Sequence, residues 1–171
     1  MDRTLRFAIV SALMLAVAVI LQSTVLEYVA ISGVKPDLAL IVLVFVAVQG
    51  GPMVGQVSGF VAGLVQDFLS LPPLGMGALV RTTIGFVYGR LQGALAAASI
   101  LAPIVLVLVA TVMKGVLLWL AAALLAPAFG MRLTAGSFIE LGYNSLLAPL
   151  LFGALGRIKA LQAPDRKEGA P

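Results

Sequence analysis

Cysteine and histidine are absent from this 171-residue chain, and charge of either sign is scarce: 11 Lys and Arg stand against 7 Asp and Glu. Without cysteine there is neither a disulfide nor a thiol nucleophile. Without either residue the usual zinc and haem ligands and a neutral-pH imidazole are missing too. No glycine-rich loop followed by Lys-Ser or Lys-Thr is present to hold phosphate, and the few carboxylates lie too far apart in sequence for paired acid-base work. Glu140, Tyr143 and Asn144 share one segment, yet no nucleophile stands beside a base. These gaps argue against an enzyme, against a bound cofactor and against a resident metal. The net charge of +4 is no nucleic-acid signature either, because the basic residues gather at segment ends and tails instead of forming one stripe.

What is present is hydrocarbon. Hydrophobic residues make up 61% of the chain and mean hydropathy is +1.13, far above a water-soluble domain of this length. The uncharged runs Phe7–Leu26 and Leu91–Met113 are each near the ~20 residues that cross a bilayer core as a helix. Neither run alternates apolar with polar, so the reading is an all-α polytopic membrane protein and not a barrel. Phe7–Leu26 is too long for a signal-peptide core and lacks a small-x-small cleavage site, so it is read as a retained first helix.

Six apolar segments follow, near 6–26, 37–49, 53–71, 77–96, 99–126 and 135–157, giving one transmembrane domain over 1–162 and a short polar cytoplasmic tail over 163–171. Gly50-Gly51-Pro52 breaks what would otherwise be 29 uncharged residues from Leu38 to Gln66. Arg3 and Arg6 precede the first segment, and Arg157, Lys159, Arg166 and Lys167 follow the last, so both ends favour the cytoplasm. An even number of crossings satisfies that bias. Six crossings leave only Lys35 and Arg132 in outward loops.

The sparse ions are the first candidates for function, because a charge near the bilayer centre costs several kcal/mol, roughly 2.5–3.5 on insertion scales, unless it is paired or faces a cavity. Asp67 and Arg81 flank the turn Pro72-Pro73-Leu74-Gly75 at similar depth, and a direct salt bridge between them is the economical expectation. Lys114 lies deep in the fifth segment. On straight helices it differs from Glu140 by roughly 9 Å in depth, which disfavours a direct pair unless Lys114 stretches outward; Asp67 or a polar partner helix is the alternative. Lys35-Pro36-Asp37 opens the second segment, with Pro36 suited to a first helical turn and Asp37 to a cap. Gly55, Gly59 and Gly63 on one segment, and Gly85, Gly89 and Gly93 on the next, recur every four residues and give each helix a bare face for close packing. Ala8, Ala12 and Ala16 form a weaker ladder of the same kind.

In order, Val34-Lys35-Pro36-Asp37-Leu38, then Gly51-Pro52 with Gly55, then Gly59-Phe60-Val61-Ala62-Gly63-Leu64-Val65-Gln66-Asp67, then Pro73-Leu74-Gly75 and Gly85-Phe86, make a string that resembles the rod shape-determining protein MreD family. The match is dense over residues 20–93; beyond Gly93 only length and hydropathy agree. The resemblance implies a bacterial inner-membrane, non-enzymatic member of the cell-elongation machinery that supports lateral peptidoglycan synthesis. Its partner would be MreC, through MreC's transmembrane helix and juxtamembrane region, with MreB, RodA and a penicillin-binding protein acting indirectly. It also implies a homodimer and six transmembrane helices similar to the S-component fold of energy-coupling-factor transporters. On this reading Asp67 and Arg81 brace two helices, while Asp37 and the turn Pro73-Leu74-Gly75 shape an outward surface for MreC. A vitamin-capturing S-component is the main rival. A small ion channel lined by Asp67, Arg81, Lys114 and Glu140 is the third reading.

Overall fold

The computed structural model describes residues 3–24, 30, 33–69, 74–93, 101–125 and 135–161. The chain is helical: α1 (Arg3–Thr24), α2 (Leu38–Leu69), α3 (Met76–Gly89), α4 (Leu101–Leu125) and α5 (Ala135–Gly156), with a 3-10 turn at Lys159–Leu161. Four of these, all but α3, are long and apolar enough to cross a membrane. The sequence suggested six segments. Among the described residues there are five helices by range, with the second and third segments both falling within α2 on either side of a break at Gly51, and the helix of the fourth segment ends at Gly89, short of residue 96. The tail over 163–171 and the turn residue Pro73 lie outside the described residues.

The helical range α2 breaks at Gly51, whose φ of 84° and ψ of −178° suit only glycine. A methyl placed on Gly55 would come within 2.9 Å of the Ala47 Cβ, eight residues earlier. Eight residues of straight helix span about 12 Å, so the chain must fold back at Gly51. Residues 38–50 and 52–69 are therefore two arms of a hairpin. Pro52 opens the second arm, where its missing N–H costs nothing, and Gln92 donates its side-chain amide to the Gln49 carbonyl at 3.2 Å, closing one of the groups left orphaned by the break.

The first arm, Leu-Ala-Leu-Ile-Val-Leu-Val-Phe-Val-Ala-Val from Leu38, is apolar on every side, and that pattern belongs to a helix enclosed on every side. Residues Ala39 to Val48 are all buried, most of them completely. Phe45 meets Phe152 of α5 edge to face, with ring centroids 5.3 Å apart. Around this central arm α1, α4 and α5 present apolar side chains outward, among them Leu13, Leu124, Leu146 and Leu150.

The second arm and α3 run antiparallel with their backbones in contact. Gly55 faces Gly85, Gly59 faces the Arg81 carbonyl, Gly63 faces Gly77 and Ala78, and Gly89 faces Pro52. The glycine ridges are thus consumed inside one molecule. Gly93 does not extend the α3 ridge: it sits beyond the helix with φ 89°. Because a Cβ on Gly85 would overlap the Gly55 carbonyl, Gly85→Ala should lower stability in micelles by about 1–3 kcal/mol through forced separation of the two helices. Gly153→Ala, with open space around it, should leave the unfolding midpoint unchanged. Equal midpoints for both variants would refute this account.

Candidate functional site: a buried ion cluster beneath a polar cavity

Asp37 sits immediately before α2 and caps it. Its Oδ1 accepts the Leu40 N–H at 3.0 Å, and its main-chain carbonyl accepts the Ile41 N–H at 3.2 Å. Pro36 lies outside the helix, one residue further back, instead of in its first turn. The Asp37 N–H, which a cap leaves without a helical partner, is donated to Asn144 Oδ1 on α5 at 2.8 Å. Asn144 in turn donates through Nδ2 to Thr111 Oγ1 on α4 at 3.1 Å, and Thr111 donates to the Val107 carbonyl at 2.8 Å. From α1, Gln22 accepts the Ala39 N–H at 3.2 Å.

On this cap two cations converge. Arg81 of α3 directs Nη2 at both Asp37 oxygens, 3.3 and 3.0 Å away, and Lys114 of α4 directs Nζ at Oδ2 at 2.8 Å. Lys114 also contacts Glu140 Oε1 of α5 directly. Two acids and two bases therefore balance, and the side chains of Asp37 and Arg81 are only 3% and 6% exposed. A buried charge without a partner is prohibitively costly, and a pair recovers that cost only when its remaining hydrogen-bond capacity is also used. Asp37 meets that condition by accepting from a backbone amide, a guanidinium and an ammonium at once.

The expected Asp67–Arg81 bridge is not formed. Asp67 Oδ2 accepts the backbone N–H groups of Gly75 at 2.9 Å and Ala78 at 3.1 Å, so this carboxylate caps α3 from the neighbouring helix. The reason is local: α3 starts after Gly75, which has no side chain to serve as its own cap and adopts φ 95°. Gly77 leaves the space that Asp67 Oδ1 occupies, since a Cβ there would overlap it. Arg81, one turn along, is left for Asp37. Lys114 likewise reaches Asp37 instead of Asp67, and the long lysine chain closes the depth gap to Glu140 that a straight-helix estimate left open. Leu74 of the turn is exposed.

Sequence reasoning missed Gln22, Thr111 and the role of Asn144. A signal existed. Thr111 and Lys114 are three apart on α4, and Glu140 and Asn144 are four apart on α5, so each helix carries its polar pair on one face.

Above the cluster, a cavity of about 460 Å³ is lined by Gln22 of α1, Lys35, Asp37, Gln66 of α2, Lys114, Ser137 and Glu140. A second, apolar groove of about 290 Å³ runs between α1 and the second arm of α2, with Ala8, Ala12 and Ala16 along one wall. Among the described residues no three Asp, Glu, Cys or His side chains come together as metal ligands.

Asp37→Asn strands Arg81, leaves Lys114 with Glu140 alone, and should cost about 3–5 kcal/mol, read as reduced folded yield and a lower unfolding midpoint. Asp67→Asn keeps an acceptor oxygen for Gly75 and Ala78 and should cost only about 1 kcal/mol. Equal damage from the two would mean that Asp67 carries an ion pair after all.

A family model described as rod shape-determining protein MreD matches residues 1–155. No curated protein and no solved structure matches the chain significantly. The matched stretch takes in all four members of the ion cluster and both arms of the α2 hairpin. With nearly the whole chain so matched, and with a helical, lipid-compatible architecture throughout, the protein belongs to the rod shape-determining protein MreD family.

Proposed function

We propose that this chain is a non-enzymatic scaffold of the bacterial cell-elongation machinery, and that it binds MreC at the cavity above the ion cluster. It acts in the inner membrane, in concert with MreB, RodA and a penicillin-binding protein, in support of lateral peptidoglycan synthesis. Six passes with both termini in the cytoplasm, an arrangement similar to S-components, and a homodimer complete the reading.

One observation carries it: the cavity lies at one end of the molecule, and Arg6, Arg90, Arg157 and Lys159 lie at the other. Phe7 of α1 lies against Gly50, and Gln92 reaches Gln49, so the start of α1, the Gly51 break and the end of α3 share one end. Since α5 leaves the cluster at Glu140 and Asn144 and runs away from it, Arg157 and Lys159 belong to that same end with Arg6 and Arg90. The positive-inside bias turns that end to the cytoplasm and the cavity outward, where MreC continues beyond its single span. Charges already paired inside the protein favour holding a partner over moving a proton or an ion. Asp37, the cavity rim, the exposed Leu74 and Gly75 would form the outward surface, and Asp67, by capping α3, would brace it against the second arm of α2.

A vitamin-capturing S-component is the second reading, favoured by the polar lining of the same cavity. The two part in one experiment. Ser137→Trp, which fills the mouth of the cavity, should cut MreC co-purification from membranes about tenfold, a change of ~1.4 kcal/mol, without loss of folded protein. Undiminished MreC, together with thermal stabilisation of the unaltered protein by a vitamin, would decide for the transporter.

A further inference from the structure

We propose that the outward cavity recognises its occupant through uncharged amide groups, so that the segment of MreC it receives is held by its main chain and not by acidic or basic side chains. This rests on the reading of the cavity as the MreC site and specifies its chemistry.

The first argument is that the ions lining the cavity are spent. Asp37 is committed to Leu40, Arg81 and Lys114, and Glu140 to Lys114. Lys35 on the rim is engaged within the protein as well. The four-residue cluster sums to zero formal charge, so a ligand entering with a net charge would find no unmatched counter-ion in it and would lose its own hydration.

The second argument is what remains unspent. Gln66 is one of the residues lining the cavity, and its Oε1, which is shielded from solvent, has no hydrogen-bond partner among the described residues. A buried acceptor left alone keeps its desolvation cost without return and calls for an N–H donor. On α1, Gln22 spends its oxygen on Ala39, and its amide nitrogen is a donor suited to a carbonyl. Ser137 adds a hydroxyl able to act either way. A lone acceptor on one wall and donors on others match a peptide group, which offers one N–H and one carbonyl on opposite sides.

The test uses full-length MreC and this protein in nanodiscs. Raising salt from roughly 50 to 500 mM, which shortens the screening length to a few ångströms, should change the Kd by less than about twofold. Gln66→Met keeps the volume and removes the acceptor; it should fold at least as stably as the unaltered protein yet bind MreC about tenfold more weakly. A tenfold salt dependence, or a well-folded Gln66→Met with unaltered affinity, overturns the amide reading while leaving MreC as the partner. No binding of MreC by the unaltered protein overturns the proposed function itself.

Discussion

The structure depends on one carboxylate. Asp37 ends the turn before α2, and the Arg81 of α3 and the Lys114 of α4 meet on it, with Glu140 of α5 bound through the lysine. Lipid provides no hydrophobic push between helices, so packing alone gives a weak preference for any one arrangement. An ion held by three elements at once gives a strong one, because every alternative packing strands at least one charge in hydrocarbon. The neutral bonds through Asn144, Thr111 and Gln22 then fix the rotation of the same helices about the same point.

The glycine faces act by a different route. Where Gly55, Gly59 and Gly63 lie against α3, backbone meets backbone, and the close approach multiplies dispersion contacts that each contribute little. Asp67 completes this unit by supplying α3 with the cap that Gly75 cannot. The molecule thus joins a tightly welded helix pair to a ring of helices gathered on an ion cluster. Asp37 and Arg81 are the weld between the two parts.

Much of this was legible in the chain. Hydropathy located the helices, Gly50-Gly51-Pro52 marked the reversal, and the four-residue glycine spacing named the faces that touch. Asp37, Asp67, Arg81, Lys114 and Glu140 all stand out in the sequence as scarce charges, but the pairing found in the structure does not follow from it. Asp67 and Arg81 were matched on depth alone, and depth ignores that Gly75 leaves a helix start uncapped; the demand of those backbone amides took Asp67 away. A straight-helix estimate disfavoured Lys114 with Glu140, and it is the outward stretch of the four-carbon lysine side chain that closes the gap in backbone depth.

The enclosed first arm of α2 has a consequence for how the protein sits in its surroundings. Residues 38–50 rise roughly 20 Å, well under the ~30 Å of a bilayer's hydrocarbon core. A lipid-facing helix that short would thin the membrane around it or tilt its neighbours. Sheathed by the other helices, it touches little lipid, so its length is released from the thickness of the bilayer. The two ends of the arm can therefore lie below headgroup level, forming a recess on one side and a tight reversal on the other, while the longer outer helices alone set the fit to membranes of differing thickness.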